Sequence, residues 1–310
     1  MGVQCSACCA STAVEDISTQ TTRKLGWKRD LPDFRDRVLA LPVERASNLP
    51  ASVDLRKGDF LSFPVYDQGN LGSCTANAIG AGFHFDQLKQ GLKDFVPSRL
   101  FIYYNERATE GTIGQDSGAY IRDGIKSVNQ KGVCSESFWP YVETKFTVKP
   151  SDECYTDALK YKCLEYARVN QTLDDMRACL SAGYPFVFGF TVYDSFYNLT
   201  ETGEMSMPTW GDSIVGGHAV LCVGYDDERQ MFVVRNSWGD SWGDKGYFYM
   251  PYAYLSNPSL ASDLWVMRNV DGTALPTRAI SAHAPLGTPQ PAAAACVQQV
   301  PAEAAERREA

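Results

Sequence analysis

The sequence has few of the residues on which metal and nucleic-acid chemistry depend. It contains only three histidines, and its cysteines beyond residue nine form no Cys-x-x-Cys pair, so no zinc-ligand spacing is present. The formal net charge of −8 disfavours a basic nucleic-acid-binding surface. No apolar run approaches the roughly 18 residues that a membrane-spanning helix requires. These absences exclude an integral membrane protein, and we expect neither a metal, a cofactor nor a nucleic-acid partner.

The N-terminus lacks the basic head and apolar core of a secretory signal, and it carries a different pattern. The first six residues, Met-Gly-Val-Gln-Cys-Ser, match the pattern for myristoylation of Gly2. Cys5, Cys8 and Cys9 lie close enough to accept a second acyl chain, which stable anchoring requires. The pattern predicts a cytoplasmic protein on the cytosolic face of a membrane, and a chance match is the alternative.

Composition divides the chain into four parts. Residues 1–22 form the tail with the acylation pattern, and residues 23–50 read as an extended, linker-like segment broken by prolines. Residues 51–270 form the folded body, and residues 271–310, rich in alanine and proline, are predicted to be disordered. A small basic patch at the start of the linker-like segment is expected to face anionic lipid: Arg23, Lys24, Lys28 and Arg29.

Within the body, helical patterns precede strand patterns. Apolar periodicity predicts helices over 75–92, 97–108, 119–129 and 173–182. Short β-rich runs predict strands over 186–193, 218–225, 230–236 and 246–250. This order indicates an α+β body with two segregated lobes. A cleft between such lobes is a natural ligand site.

Three residues have the pattern of nucleophilic thiol chemistry. Cys74 follows a glycine-containing loop and begins a predicted helix, whose positive end favours a thiolate and whose N–H groups can hold an oxyanion. His218 begins a predicted strand, and Asn236 lies 18 residues later, at the end of the next one. If these strands are antiparallel neighbours, the Asn236 carbonyl oxygen can fix the tautomer of the imidazole.

These segments resemble the papain family of cysteine peptidases. The similarity lies in Gln68 six residues before Cys74, in His218-Ala219, and in Asn236-Ser-Trp-Gly with the Trp-Gly and Gly-Tyr pairs that follow it. The separation of 144 residues between Cys74 and His218 lies within the roughly 130–150 of that family. The resemblance covers about residues 51–270. It implies a papain-like two-lobe fold, with a helical left lobe, an antiparallel β right lobe and the active-site cleft between them.

The resemblance also implies an activity and a set of roles. The protein is expected to hydrolyse peptide bonds, with Cys74 as nucleophile, His218 as base, Asn236 as orienting residue and Gln68 as oxyanion donor. The protein or peptide substrate is expected to lie extended in the cleft and to pair with enzyme backbone. The residues expected to contact it are Ser117, Gly118, Gly217 and Trp238, with Ser262 or Asp263 near the bottom of one side-chain pocket.

The chain departs from the family at two places. Leu71 and Thr75 stand where the family has a cysteine and an aromatic residue, which removes a disulfide partner and suits a reducing compartment. The 50 residues before Ala51 lack the long helical prosegment of secreted members, and Gly26-Trp27 through Asp36 resembles short-prosegment microbial members instead. Whether residues 23–50 cover the cleft, or are cleaved, is left open at this point.

Two other functions are compatible with the same residues. A different thiol acyl transfer, such as deamidation or transglutamination, would use the same triad, and activity on simple peptides would separate it from proteolysis. A membrane-held scaffold without catalysis is the other alternative, which the intact set of Cys74, His218 and Asn236 disfavours. His84, nearly three helical turns beyond Cys74, is expected to be structural.

Overall fold

The computed structural model describes residues 23–40, 48–57, 64–199 and 202–270, all within one compact unit. Its helices are α1 (Cys74–Lys89), α2 (Arg99–Glu110), α3 (Ile121–Lys131), α4 (Asp152–Ala158), α5 (Leu173–Ser181) and α6 (Tyr252–Leu255). Its strands are β1 (Trp27–Lys28), β2 (Ser52–Asp54), β3 (Ala119–Tyr120), β4 (Cys163–Arg168), β5 (Phe186–Tyr193), β6 (Ile214–Asp226), β7 (Met231–Arg235), β8 (Tyr247–Pro251) and β9 (Ala261–Val270). Short 3₁₀ turns span Glu143–Lys145 and Asp194–Asn198.

Seven strands form one antiparallel sheet in the order β4-β9-β5-β6-β7-β8, with β2 pairing on β6. The register places Phe190 of β5 opposite His218 of β6, and Leu221 of β6 opposite Arg235 of β7. Strands β6 and β7 are therefore antiparallel neighbours, as the spacing of the histidine and the asparagine required. The sheet brings the residue after β7 back beside the first half of β6.

The central helix α1 packs between the other helices and the sheet. Fourteen of its sixteen residues are buried, because one side meets α2 and α3 and the other meets β6 and β9. Gly82 lies so close to Met267 that a Cβ there would come within 2.8 Å of the methionine methyl carbon. A helix enclosed in this way is held at fixed depth, since close-packed interiors leave little room for displacement. This fixes the position of Cys74 at its first turn.

The α+β, two-lobe fold expected from the sequence is confirmed. All four predicted helices and all four predicted strands are present, with ends that differ by up to four residues. Six helices and strands of the body were not predicted: β2, β3, α4, β4, α6 and β9. Strand β4 has two consecutive exposed residues, Leu164 and Glu165, and β9 contains four polar or charged positions, so neither sequence alternates regularly between apolar and polar residues.

Several predictions concern residues outside the described ranges. Gly2, Cys5, Cys8, Cys9 and the segment 271–310 all lie there. In the described part of the chain, no helix is long and apolar enough to cross a membrane. The cysteines described there are all free thiols: Cys74, Cys134, Cys154, Cys163, Cys179 and Cys222.

The packing of the sheet predicts that replacing two phenylalanines will have different effects on the stability of the protein. Phe190, at the middle of β5, is fully buried, whereas Phe34 is 98% exposed. Phe190→Ala should lower the free energy of unfolding by about 3–5 kcal/mol because it leaves a cavity in the core. Phe34→Ala, the matched control, should change it by less than about 0.5 kcal/mol. Urea unfolding measures both, and equal losses would contradict this account of the core.

Candidate active site

Cys74 is the first residue of α1 and its side chain is fully buried. Ser73 precedes the helix but makes no side-chain cap; its hydroxyl lies 2.5 Å from the hydroxyl of Tyr141 instead. The first turn of the helix therefore receives no capping oxygen from Ser73. Its N–H groups and its positive dipole end act at the cysteine, where they stabilise negative charge.

His218 and Asn236 meet across the β6–β7 pair. The Nε2 of His218 lies 2.8 Å from the Oδ1 of Asn236, which also accepts the backbone N–H of Ser237 at 2.8 Å. Because an amide oxygen only accepts, Nε2 carries the ring proton and Nδ1 is the basic nitrogen. That Nδ1 is buried and has no hydrogen-bond partner among the described residues. The ring of Trp238, itself buried, packs beside the imidazole, with 5.1 Å between the two ring centroids.

Gln68 is tied to the same region from the opposite lobe. Its Oε1 accepts from the hydroxyl of Ser237 at 2.7 Å, so its Nε2 points away and is available as a donor. That Nε2 donates to the carbonyl oxygens of Leu71 and Lys24, each at 2.9 Å. The donor expected to hold an oxyanion is therefore in contact with a backbone carbonyl of the segment 23–40.

The segment 23–40 runs across Cys74. Its strand β1 pairs in parallel with β3, and the carbonyl oxygen of Gly26 accepts the N–H of Ala119 at 2.8 Å. Only glycine fits at this position, because a Cβ on Gly26 would lie 1.8 Å from the carbonyl oxygen of Gly72. Gly118, at φ +69°, would likewise place a Cβ 2.0 Å from the Gly26 oxygen. Residues 23–40 thus cover the candidate nucleophile, which bears on the first of the two alternatives that the sequence left open.

Buried ion pairs hold the next part of this segment in place. Arg168 of β4 donates to Asp30 at 3.0 Å and to Asp36 at 2.7 Å. Asp30 also accepts the indole N–H of Trp265 at 3.0 Å, and its backbone N–H donates to Asp263 at 2.7 Å. Removing one of these charged groups would destabilise the protein, because a buried charge without its partner carries a large free-energy cost.

The basic patch expected to face lipid contacts the protein itself. The partners lie on the rim of the cleft: Arg23 with Asp67 at 2.9 Å, Lys24 with Asp116 at 2.6 Å, and Lys28 with Glu110 at 2.8 Å. The guanidinium of Arg29 donates to the carbonyl oxygen of Pro258 at 2.7 Å. Three of the four basic residues thus pair with acidic side chains of the folded body, and the attraction of the patch to anionic lipid stays a prediction.

Burial of Cys74 and His218 shifts the pKa values of both side chains. It raises the pKa of the Cys74 thiol to about 12, although backbone hydrogen bonds from Ala219, Gly26 and Thr75 act in the opposite direction. Burial also lowers the pKa of His218 to about 4, against the opposing effect of the Asn236 bond. Both shifts favour the uncharged form. With the segment in place, the pair is therefore a neutral thiol and a neutral imidazole.

The structure also locates the other residues singled out by sequence. Gly217 contacts the side chain of Trp27, and Ser117 lies beside the segment, with its hydroxyl 3.4 Å from the ammonium of Lys28. His84 contacts Tyr66 and Asp94 at its two ring nitrogens, as a structural histidine would. Among the described residues, no group of His, Cys, Asp or Glu could hold a metal ion.

Comparison with known proteins identifies the family to which this chain belongs. Residues 49–263 match the family described as "Papain family cysteine protease", so the chain belongs to that family. It is 43% identical over 279 residues to the "Uncharacterized peptidase C1-like protein L477" of Acanthamoeba polyphaga mimivirus, covering 82% of this chain and 89% of that one. Mouse pro-cathepsin H is 29% identical over 216 residues, 64% of this chain and 59% of its own.

A solved structure supports the same family assignment. The crystal structure of xylellain, a cysteine protease from Xylella fastidiosa, matches with a TM-score of 0.76 and 47% identity, over 81% of this chain and 99% of that one. The protein is therefore a papain-like cysteine protease, a hydrolase whose substrates are proteins or peptides.

The sequence singled out the stretch from Gly26-Trp27 to Asp36 only as a family resemblance, and it did not predict that Gly26, Trp27 and Asp30 fix the segment. One signal was available, namely a Gly-Trp pair followed by an aspartate in an otherwise polar stretch. A tryptophan there requires a surface to pack on, which a free linker does not supply. The partners of this segment could not be predicted, because Asp263 lies 236 positions beyond Trp27.

The protonation of the site predicts how Cys74 reacts in the intact chain. Its alkylation by iodoacetamide should be slower than that of free cysteine between pH 7 and 9, and should still rise above pH 10, because the thiolate fraction grows only as the pH approaches a raised pKa. Peptide mapping by mass spectrometry reports the rate at this residue. Fast labelling that is already constant from pH 5 upward would show a thiolate–imidazolium pair and contradict this description.

Proposed function

We propose that the protein hydrolyses peptide bonds with Cys74 as nucleophile, His218 as general base, Asn236 as the orienting residue and Gln68 as an oxyanion donor. The observation that carries this proposal is the His218 ring, whose Nε2–H is held by Asn236 and whose basic Nδ1 is left without a partner among the described residues. An imidazole fixed in this tautomer is prepared to accept a thiol proton.

The proposed reaction uses these groups in two stages. His218 Nδ1 takes the thiol proton, and the Cys74 thiolate attacks the substrate carbonyl carbon. The resulting oxyanion is stabilised by the Nε2–H of Gln68 and by N–H groups at the start of α1. His218 then gives the proton to the leaving amine, and a water molecule activated by the same imidazole hydrolyses the thioester.

We further propose that the described form is latent. The carbonyl oxygen of Lys24 engages Gln68, and the backbone at Gly26 contacts the thiol, so the substrate path is filled. Displacing the segment admits water, which removes the main cause of both pKa shifts and allows the thiolate–imidazolium pair to form. The rival acyl transfers would share this chemistry, but no observation favours them over hydrolysis.

The assignment of the nucleophile is tested by replacing cysteines. In a Trp27→Ala background, which weakens the segment, Cys74→Ala should abolish both peptide hydrolysis and labelling by an epoxide-type thiol inhibitor. Cys179→Ala, a matched buried cysteine of α5, should keep both. Circular dichroism checks that each variant is folded. Hydrolysis that survives Cys74→Ala would remove this residue from the mechanism.

The oxyanion role of Gln68 predicts a loss in turnover rather than in labelling. Gln68→Ala should lower kcat by about 10²–10³-fold, as the loss of one such donor does, while the epoxide still reacts with Cys74. Gln90→Ala, at the opposite end of α1, should leave kcat unchanged. Steady-state kinetics on one peptide gives both values, and an unchanged kcat for Gln68→Ala would exclude the role.

The acylated N-terminus stays a separate prediction, because it concerns residues outside the described ranges. Gly2→Ala should move the protein from the membrane to the soluble fraction of a eukaryotic cell, and so should joint replacement of Cys5, Cys8 and Cys9. Fractionation with metabolic labelling by a myristate analogue measures this. A soluble wild-type protein, or a Gly2→Ala protein that stays on membranes, would refute anchoring.

A further inference from the structure

The side chain of Trp27 fills a slot beside the candidate nucleophile. Its indole lies across Gly189 of β5 and Gly217 of β6, which share one face of the sheet: a Cβ on the first would come within 1.9 Å of the ring, and one on the second within 2.7 Å. This side of the slot is therefore bare backbone, which a flat aromatic ring can approach closely. Gly217 is adjacent to His218 in the chain, and Gly26, the neighbour of Trp27, contacts Cys74. A side chain in the slot thus flanks the reacting atoms.

The floor of the slot is a buried carboxylate. Asp263, 5% exposed, accepts the indole N–H of Trp27 at 3.1 Å through Oδ2, the same oxygen that accepts the backbone N–H of Asp30. Both of these donors belong to the segment 23–40. When the segment leaves, Asp263 loses them together, and a substrate side chain with a donor at its far end can replace the indole contact.

A second charge at the floor decides which kind of donor fits. Arg168 lies 3.5 Å from the other oxygen of Asp263, and it too loses Asp30 and Asp36 when the segment leaves. The open floor then holds one cation and one anion. A neutral N–H donor satisfies Asp263 without placing a second cation near Arg168, whereas an arginine or lysine side chain would meet like charge.

We propose that this slot, formed by Gly189, Gly217 and Asp263, selects tryptophan in the substrate. This tryptophan would lie near the scissile bond, because the slot is adjacent to Cys74 and His218. Phenylalanine has a flat ring but no N–H group to donate to the carboxylate of Asp263. Arginine can donate to that carboxylate, but its positive charge would lie near that of Arg168. The proposal rests on the peptidase function proposed above, and it makes Asp263 the residue that determines specificity.

The first test uses the intact chain and needs no catalysis. Trp27→Phe, Trp27→Arg and Trp27→Ala present three side chains to the slot on the same backbone, and iodoacetamide labelling of Cys74 reports how well each keeps the segment in place. Labelling should be slowest with tryptophan and about tenfold or more faster with phenylalanine, because one hydrogen bond to a charged group is lost. Arginine should protect less than tryptophan. Equal rates for tryptophan and phenylalanine, or the slowest rate with arginine, would overturn the proposal.

The second test measures selection among substrates. Full-length Trp27→Ala enzyme is given peptides of one sequence in which a single position is tryptophan, phenylalanine, arginine or valine, and the cut bond is located by mass spectrometry. The kcat/KM for tryptophan should exceed that for phenylalanine by about tenfold, because the carboxylate of Asp263 rejects a side chain without a donor. Hydrolysis without preference for tryptophan would refute the slot while sustaining the peptidase. No hydrolysis and no labelling of Cys74 would refute the peptidase itself.

Two added variants tie the selection to the slot. Gly189→Ala narrows it, so the tryptophan peptide should lose kcat/KM at least tenfold more than the valine peptide, because only the large ring meets the added methyl group. Gly211→Ala, where a Cβ would meet nothing within 4 Å, is the matched control and should leave the ratio unchanged. Equal losses for both peptides in Gly189→Ala would place the tryptophan elsewhere in the cleft and contradict the proposal.

Discussion

The described structure depends on a backbone contact that only glycine permits. Gly26 lies against the carbonyl oxygen of Gly72, two residues before Cys74, while its own carbonyl oxygen lies against Gly118. Three glycines from three distant parts of the chain therefore meet beside the candidate nucleophile. Because no side chain separates these backbones, water is excluded from the thiol and the imidazole. The neutral state of Cys74 and His218 follows from this exclusion.

Charges of the surrounding body then hold the contact closed. Two aspartates of the segment meet Arg168, and three basic residues of the segment meet acidic residues on the rim. Exposed pairs of the second kind contribute little individually, so the buried pairs and the indole of Trp27 carry most of the attachment. The proposed latency and the proposed selectivity are thus linked, since the slot that holds Trp27 is the one proposed to receive the substrate.

Sequence reasoning identified the family and the fold, because both leave local signatures in neighbouring residues. The loop before Cys74, the pair around His218 and the run after Asn236 each carry a local signature, and the helix and strand periodicities between them are regular. It failed where function depends on contacts between distant residues. The polar strand β9 brings Asp263 to Trp27, and only the fold reveals that a stretch resembling a linker is bound in the cleft. The ion pairs of Arg23, Lys24 and Lys28 were not predicted for the same reason, because their acidic partners lie up to 92 positions away in the chain.

The account is tested most directly at Gly26. Gly26→Ala adds one methyl group where there is space for none, whereas Gly114→Ala adds it where nothing lies within 4 Å. The measurement is the rate at which an epoxide-type thiol inhibitor labels Cys74 in each full-length protein at pH 7. Gly26→Ala should be labelled at least about tenfold faster than the wild type, because losing more than about 1.4 kcal/mol of contact raises tenfold the fraction of molecules in which the segment has left Cys74. Gly114→Ala should be labelled at the wild-type rate. An unchanged rate in a folded Gly26→Ala protein would contradict this account.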